Sequence, residues 1–348
     1  MLTTREWGET VKATVHMTSD TFGVWEKALA FRELVLTVFI ALLIFVVGLR
    51  SPHFLNLSNF KIILLDASIL MVVAIAQMMV MLTAGIDLSV TSTLAFSGMA
   101  VALMVRDGVI IEPWLCLVVG TLIGLILGSI NGLLVAKGGM PPIIATIATM
   151  TIYRGATYLI SGGAWVSAHQ MTDGFISIAR GRIFGIPNLV MTVVLVSLIF
   201  HYFLGHTPTG RKIYAVGDNP NAARFAGINV SRIRFLVYLL SGTLCGLSGV
   251  LWVSRYASAQ CNAAVGFEML AVASCIIGGV FISGGSGSVT GVLLGSFLLA
   301  IIVNALAVMR VNPFWRMAIQ GVIILVAVVV DTTMSRRIGK RGAISGHN

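Results

Sequence analysis

The sequence predicts an all-α, polytopic membrane bundle of about ten transmembrane helices with both termini cytoplasmic. Three observations predict it. Of the 348 residues, 57% are hydrophobic and 10% charged, with a mean hydropathy of +0.97, whereas water-facing globules carry about a quarter charged residues. Apolar runs recur along the chain at close to the roughly 20 residues a spanning helix needs. The basic residues between those runs fall mostly on one side.

The elements follow in order. Residues 1–33 read as a cytoplasmic arm, because they lack the apolar core of a signal peptide and contain several acids. Within the arm, Phe22, Trp25 and Leu29 share a helical spacing suited to the membrane interface. Spans then centre on Leu34–Leu49, Ile62–Leu82, Val90–Val105, Leu115–Val135, Ile143–Ile160, Leu189–Leu204, Phe235–Val253, Phe267–Ile282, Val289–Val308 and Trp315–Val330. They make up a membrane domain over residues 34–331, with a polar segment at 205–234 inside it and a basic cytoplasmic tail at 332–348. An even number of spans from a cytoplasmic N-terminus puts 14 of the 23 Lys and Arg inside, eight outside and Arg154 within a span. That asymmetry obeys the positive-inside rule, and the net charge of +10 suits the anionic inner leaflet without any nucleic-acid partner.

Glycine recurs every fourth residue at Gly120, Gly124, Gly128 and Gly132, and again at Gly242 with Gly246 and at Gly291 with Gly295. Such stripes let helix backbones approach closely in lipid, where no hydrophobic effect drives helices together. The four cysteines, Cys116, Cys245, Cys261 and Cys275, lack metal-ligand spacing and read as small core residues. No metal site is expected. GGSGSVTG at Gly284–Gly291 lacks the Gly-Lys-Ser/Thr ending of a phosphate loop, and the six histidines sit in or near loops or in the termini. Nothing in these motifs marks the chain as an enzyme, and no cofactor of its own is expected.

Function is carried most strongly by the polar stretch Thr207–Arg234. Asn219 there suits an N-cap, Pro220 the first helical position and Gly227 a left-handed exit, bounding a helix of about two turns over Asn221, Ala222, Ala223, Arg224 and Phe225. So short a helix is marginal alone and must be held by a partner or by the protein's own membrane-facing ends. Polar groups at membrane depth mark a candidate solute path: Asp66 and Gln77, eleven residues apart and so on nearly one helix face, with Asn131 and Asn304. Asp87 and Glu268 each follow a glycine and open an apolar run, which suits helix capping.

TGRKIYAVGDNPNAARFAGINVSRIR, together with TAGIDLSV, GLLVAK, PPIIATIATMTIYRG and GFEMLAVASCIIGGVFISGGSGSVTGVLLG, closely resembles the membrane permeases of bacterial ribose-type ABC importers, a family that also serves other monosaccharides and the furanose-like autoinducer-2. The resemblance runs in order from about Pro52 to Asp331. It implies a permease of the bacterial inner membrane that moves a monosaccharide or small polyol by alternating access. It also implies the partners: a second permease subunit, cytoplasmic ATPase subunits that bind the ATP and Mg, and a periplasmic solute-binding protein. The short helix after Asn219 would be the coupling helix, NAARFAG matching the EAA-x-x-x-G pattern except that Asn221 replaces the acid. Relatives often carry GIDLSVGS where Thr91 stands here, an acid where Leu270 stands and Gly-Gly-Thr-Ser where Val280-Phe281 follow Gly278-Gly279. Other readings of the residues are an ion-coupled secondary transporter using Asp66 or Glu268, and an amino-acid permease of the same group.

Overall fold

A computed structural model describes residues 33–312 and, beyond them, the helical residues Phe314, Trp315, Ala318, Ile319, Gly321, Val322, Leu325 and Val329. The arm, the tail and most of the expected tenth span lie outside the described residues. Helices run in the order α1 (Glu33–Arg50), α2 (Leu57–Met81), α3 (Val90–Arg106), α4 (Pro113–Ala136), α5 (Pro142–Ser161), α6 (Asp173–Arg180), α7 (Asn188–His206), α8 (Pro208–Asp218), α9 (Pro220–Phe225), α10 (Val230–Tyr256), α11 (Phe267–Ile277) and α12 (Val289–Val308). Among the described residues seven of these, α1, α2, α4, α5, α7, α10 and α12, are long and apolar enough to cross a membrane, while α3 and α11 are shorter apolar helices. The chain is an all-α membrane bundle.

Local signals set most starts. Pro113, Pro142 and Pro208 each occupy a first helical turn, where the missing N–H costs nothing. Asn56, Thr207, Asn229 and Ser288 each cap a helix through a side-chain oxygen.

The centre of the bundle is α10 packed against α2, α3 and α4. The glycine stripes of α4 and α10 prove to be partners of one another. A Cβ on Gly124 would fall 2.2 Å from the Gly242 carbonyl oxygen and 2.6 Å from the Gly246 Cα, and one on Gly246 would fall 2.3 Å from the Gly120 oxygen. Contact this close removes any room for a side chain and maximises dispersion between the backbones. The third stripe does the same for α12, where a Cβ on Gly295 would meet the Ser274 carbonyl of α11 at 2.3 Å. All four cysteines are buried and free.

One expected span is shortened. The run Phe267–Ile282 is helical only to Ile277, after which Gly279, Gly284 and Gly285 all take positive φ and the chain turns through GGSGS before α12. The run Thr83–Ser89 before α3 is also non-helical. Where the chain returns from α5 toward α7, two short antiparallel strand pairs form that periodicity did not announce. The strand β1 (Val166–Ser167) pairs antiparallel with β4 (Ser258–Ala259) after α10, and β2 (Arg182–Ile183) pairs with β3 (Ile186–Pro187).

Candidate coupling surface and solute path

The polar stretch folds as two consecutive helices, of which the sequence reading anticipated only the second. Thr207 caps α8 by accepting from the Gly210 N–H at 3.0 Å. The inner face of α8 is bonded to the bundle: Ile213 and Val216 are fully buried, and the Tyr214 hydroxyl donates to the Gly287 carbonyl at 2.9 Å. Burial pushes the Tyr214 phenol up to about 12, so it remains a donor at any physiological pH. Near the end of α8, Gly217 sits where a Cβ would lie 1.8 Å from the Leu82 carbonyl oxygen and 2.5 Å from the Gly285 nitrogen, and Gly285 itself donates to Leu82 at 3.1 Å. The GGSGS turn, with no phosphate-binding character in its sequence, is thus a backbone junction joining α8, the end of α2 and the start of α12.

From that anchor α9 projects. Asn219 ends α8 and caps α9, its side-chain oxygen accepting from Asn221 and Ala222, each at 3.0 Å. At the far end Gly227 takes φ +79, Gly227 donates to Arg224 at 3.0 Å and Ile228 to Ala223 at 2.9 Å, the paired bonds of a Schellman stop. Ala223 is buried and Pro220 partly so, whereas Asn221, Ala222, Arg224 and Phe225 face outward. Phe225 is 94% exposed. Both ends of a six-residue helix are fixed by hydrogen bonds, so its outward residues are held in place without help from a core of their own.

The polar residues chosen for a solute path do not form one set. Asp66 is half-exposed, and its Oδ1 accepts from Arg255 Nη2 at 3.4 Å and Tyr256 Oη at 3.3 Å near the end of α10. Gln77 lies on nearly the same face of α2 but is fully buried. Its amide, oriented to satisfy both ends, donates to the Asp87 carbonyl at 2.8 Å and accepts from the Asp87 N–H at 3.3 Å. The face is thus open around Asp66 and closed by the 83–89 segment around Gln77. Asn131 of α4 is buried and donates to Ser89 Oγ at 2.7 Å. Asn304 exchanges two bonds with Asn59, at 3.0 and 3.1 Å, tying α12 to α2.

Asp87 and Glu268 also take different positions from one another. The residue at the cap of α3 is Ser89, not Asp87; the buried Asp87 carboxylate instead accepts from the Ser89 N–H at 2.9 Å and Oγ at 2.7 Å, closing the turn that leads into the helix. Asn131, Ser89 and Asp87 therefore form one chain of bonds from α4 to this turn. Glu268 lies in the first turn of α11, after Gly266 at φ +84, and accepts from Thr91 of α3 at 2.7 Å. Sequence reasoning had singled out Thr91 only as a departure from relatives, and pairing it with Glu268 required the 177-residue closure that the fold supplies.

Comparison with known proteins gives one answer. The family model described as the branched-chain amino acid transport system / permease component matches residues 59–328. The ribose import permease protein RbsC of Bacillus subtilis is 39% identical over 294 residues, covering 84% of this chain and 91% of that one. The D-allose transport system permease protein AlsC of Escherichia coli is 35% identical over 299 residues, 85% of this chain and 90% of that one. The autoinducer 2 import system permease protein LsrC of an Enterobacter species is 33% identical over 300 residues, 86% of each chain. No solved structure matches it.

Proposed function

This chain belongs to the family of branched-chain amino acid transport system permease components, and we propose that it is the membrane permease subunit of an ATP-driven importer for a monosaccharide or related small polyol in a bacterial inner membrane. Sugar is favoured over amino acid by the curated relatives, which are permeases for ribose and allose. The chain is a transport subunit; ATP and Mg belong to cytoplasmic ATPase subunits, the solute is delivered by a periplasmic binding protein, and a second permease subunit completes the path. In this reading ten spans place both termini in the cytoplasm, over the membrane domain 34–331 with the arm 1–33 and the tail 332–348 inside.

The observation that carries the coupling assignment is the geometry of α9: six residues capped at both ends, anchored through α8 to the GGSGS turn, and presenting an uncovered phenyl ring. Asn219, Pro220, Asn221, Ala222, Ala223, Arg224, Phe225 and Gly227 form the coupling element, with Arg224 and Phe225 as its anchors, since interfaces draw disproportionately on Arg and aromatic residues. Closure of the ATPase pair would pull on α9 and, through Gly217 and Gly285, on both the 82–89 turn and the start of α12. That junction suits a switch between outward and inward openings. On the solute path Asp66 is the residue favoured, being half-exposed and joined to Arg255 and Tyr256. Gln77 and Asn131 spend their amides on the 83–89 segment and Asn304 spends its own on Asn59 of α2, and they act there by holding the walls of the path in register.

The test is reconstitution of the permease with its ATPase and binding protein in vesicles. D-Ribose or D-allose should accumulate only when ATP is supplied on the ATPase side, and a proton or sodium ionophore should leave accumulation intact. Accumulation driven by an ion gradient without ATP would replace this reading with a secondary transporter.

A further inference from the structure

A charged pair inside the bundle is left unused by the coupling element and by the residues discussed so far. Arg154 lies 12 residues into the 20-residue helix α5, about 18 Å along a helix of about 30 Å, and so near the middle of a membrane. It is half-buried. Its Nη1 donates to the carbonyls of Cys261 and Ala263, at 3.0 and 2.8 Å, while its Nε and Nη2 have no protein partner among the described residues. Those carbonyls belong to a string of turns between β4 and α11, in which Ala264 and Gly266 have positive φ. Non-helical backbone at membrane depth is tolerated only where protein covers it or where it lines a cavity.

Glu268, two residues past those turns, approaches from the other side. Thr91 donates to its Oε2 at 2.7 Å, and Oε1 has no protein partner among the described residues. Thr91 is the second residue of α3, about 9 Å along the helix from Ser97, which packs on Gly246 past the midpoint of α10, so Thr91 stands well inside the bundle. Arg154 holds the carbonyl of Ala263, five residues before Glu268, yet the two side chains do not close into an ion pair among the described residues. Glu268 is half-exposed, and its neighbours Val265 and Met269 are 69% and 44% exposed. A charge facing hydrocarbon at that depth is costly, so this face looks onto water or onto another subunit.

We propose that Arg154 and Glu268, with Thr91 as the positioning residue for the carboxylate, form a solute-contact site at the middle of the transport path that recognises a neighbouring pair of hydroxyl groups on a neutral polyol. One hydroxyl donates to the free carboxylate oxygen, and the next accepts from the free guanidinium N–H groups. Opposite charges held apart leave no net charge to favour an anion or a cation, and they supply the acceptor and the donors that a diol needs together. The site rests on the importer reading for its solute and adds to it the residues that read the hydroxyls.

Two measurements test it on the full complex. In Glu268→Cys, a water-soluble thiol reagent should label the introduced thiol at least tenfold faster than the four buried native ones. In Glu268→Gln, which keeps the Thr91 bond, and in Arg154→Lys, D-ribose taken up per ATP hydrolysed should fall at least tenfold while the complex still copurifies in wild-type amounts. No labelling of the Glu268→Cys protein beyond wild type, uptake per ATP within twofold of wild type, or failure of both conservative variants to assemble would overturn the site and return the pair to packing. A zwitterion could span the same two charges, so loss of L-leucine uptake with sugar uptake intact would overturn the diol assignment. Absence of any ATP-driven uptake in the wild type would refute the importer reading instead, and the labelling result would still decide whether the pair faces water.

Discussion

Truncating Phe225 to alanine tests the coupling role proposed for α9 separately from folding. The ring is 94% exposed, so its removal takes almost nothing from the isolated permease, within about 0.5 kcal/mol as for other surface substitutions. In a complex the same exposure becomes the quantity at stake. A phenylalanine has on the order of 150–250 Å² to bury, and at about 25 cal/mol per Å² full coverage gives an upper bound of about 4–6 kcal/mol. Ordering the side chain costs about 1 kcal/mol, and anchors of this kind measure about 2–4 kcal/mol on truncation. The expected loss is therefore about 2–4 kcal/mol, or roughly 30- to 1,000-fold in affinity. Titrating labelled ATPase against the permease in nanodiscs measures it directly, with thermal unfolding of the permease alone as the control. A change below threefold, with ATP hydrolysis still stimulated by the loaded binding protein, would refute the assignment of α9. Lowered thermal stability of the permease alone would refute the premise that the ring is free.

Four further outcomes follow from the geometry. Gly227→Val forces a β-branched residue to φ +79, with a cost of at least about 1–2 kcal/mol; nothing lies within 4 Å of its Cβ, so the permease should reach the membrane in wild-type amounts but bind the ATPase poorly, as copurification will measure. Gly124→Leu must fail differently, since even a Cβ there lies 2.2 Å from the Gly242 oxygen: α4 and α10 must separate, and the amount of folded permease recovered in mild detergent should fall severalfold. Asp66→Asn should lower uptake with ATPase binding unchanged, whereas Asn304→Leu should lower thermal stability by about 1–3 kcal/mol, because it leaves Asn59 Oδ1 without the Asn304 N–H it accepts from.

The membrane solvent and the glycine stripes were legible in the sequence because composition and period are local properties. So was the bounded helix after Asn219, because a cap, a proline and an exit glycine act within one or two turns. Its neighbour α8 was not legible: a short polar helix has no period strong enough to announce it, and it is held by Ile213, Val216 and Tyr214 against distant parts of the bundle. The solute-path residues show the same limit from the other direction. Their spacing along α2 put Asp66 and Gln77 on nearly one face, which the fold keeps, but whether that face is open or covered depends on the Thr83–Ser89 segment folding back beside Gln77. Asn131, Asn304 and Glu268 likewise find partners at Ser89, Asn59 and Thr91 that are 42, 245 and 177 residues away.

By itself, then, the sequence determined that this protein lives in a bilayer as an α-helical bundle, which residues let its helices touch, and where the short capped helix after Asn219 starts and stops. Only the tertiary structure decided which polar groups are spent on holding helices together and which are left with free valences at membrane depth. The physical reason is that hydrophobicity, capping and helical period are fixed by a residue and its near neighbours, whereas satisfaction of a hydrogen bond depends on what long-range packing brings within about 3 Å.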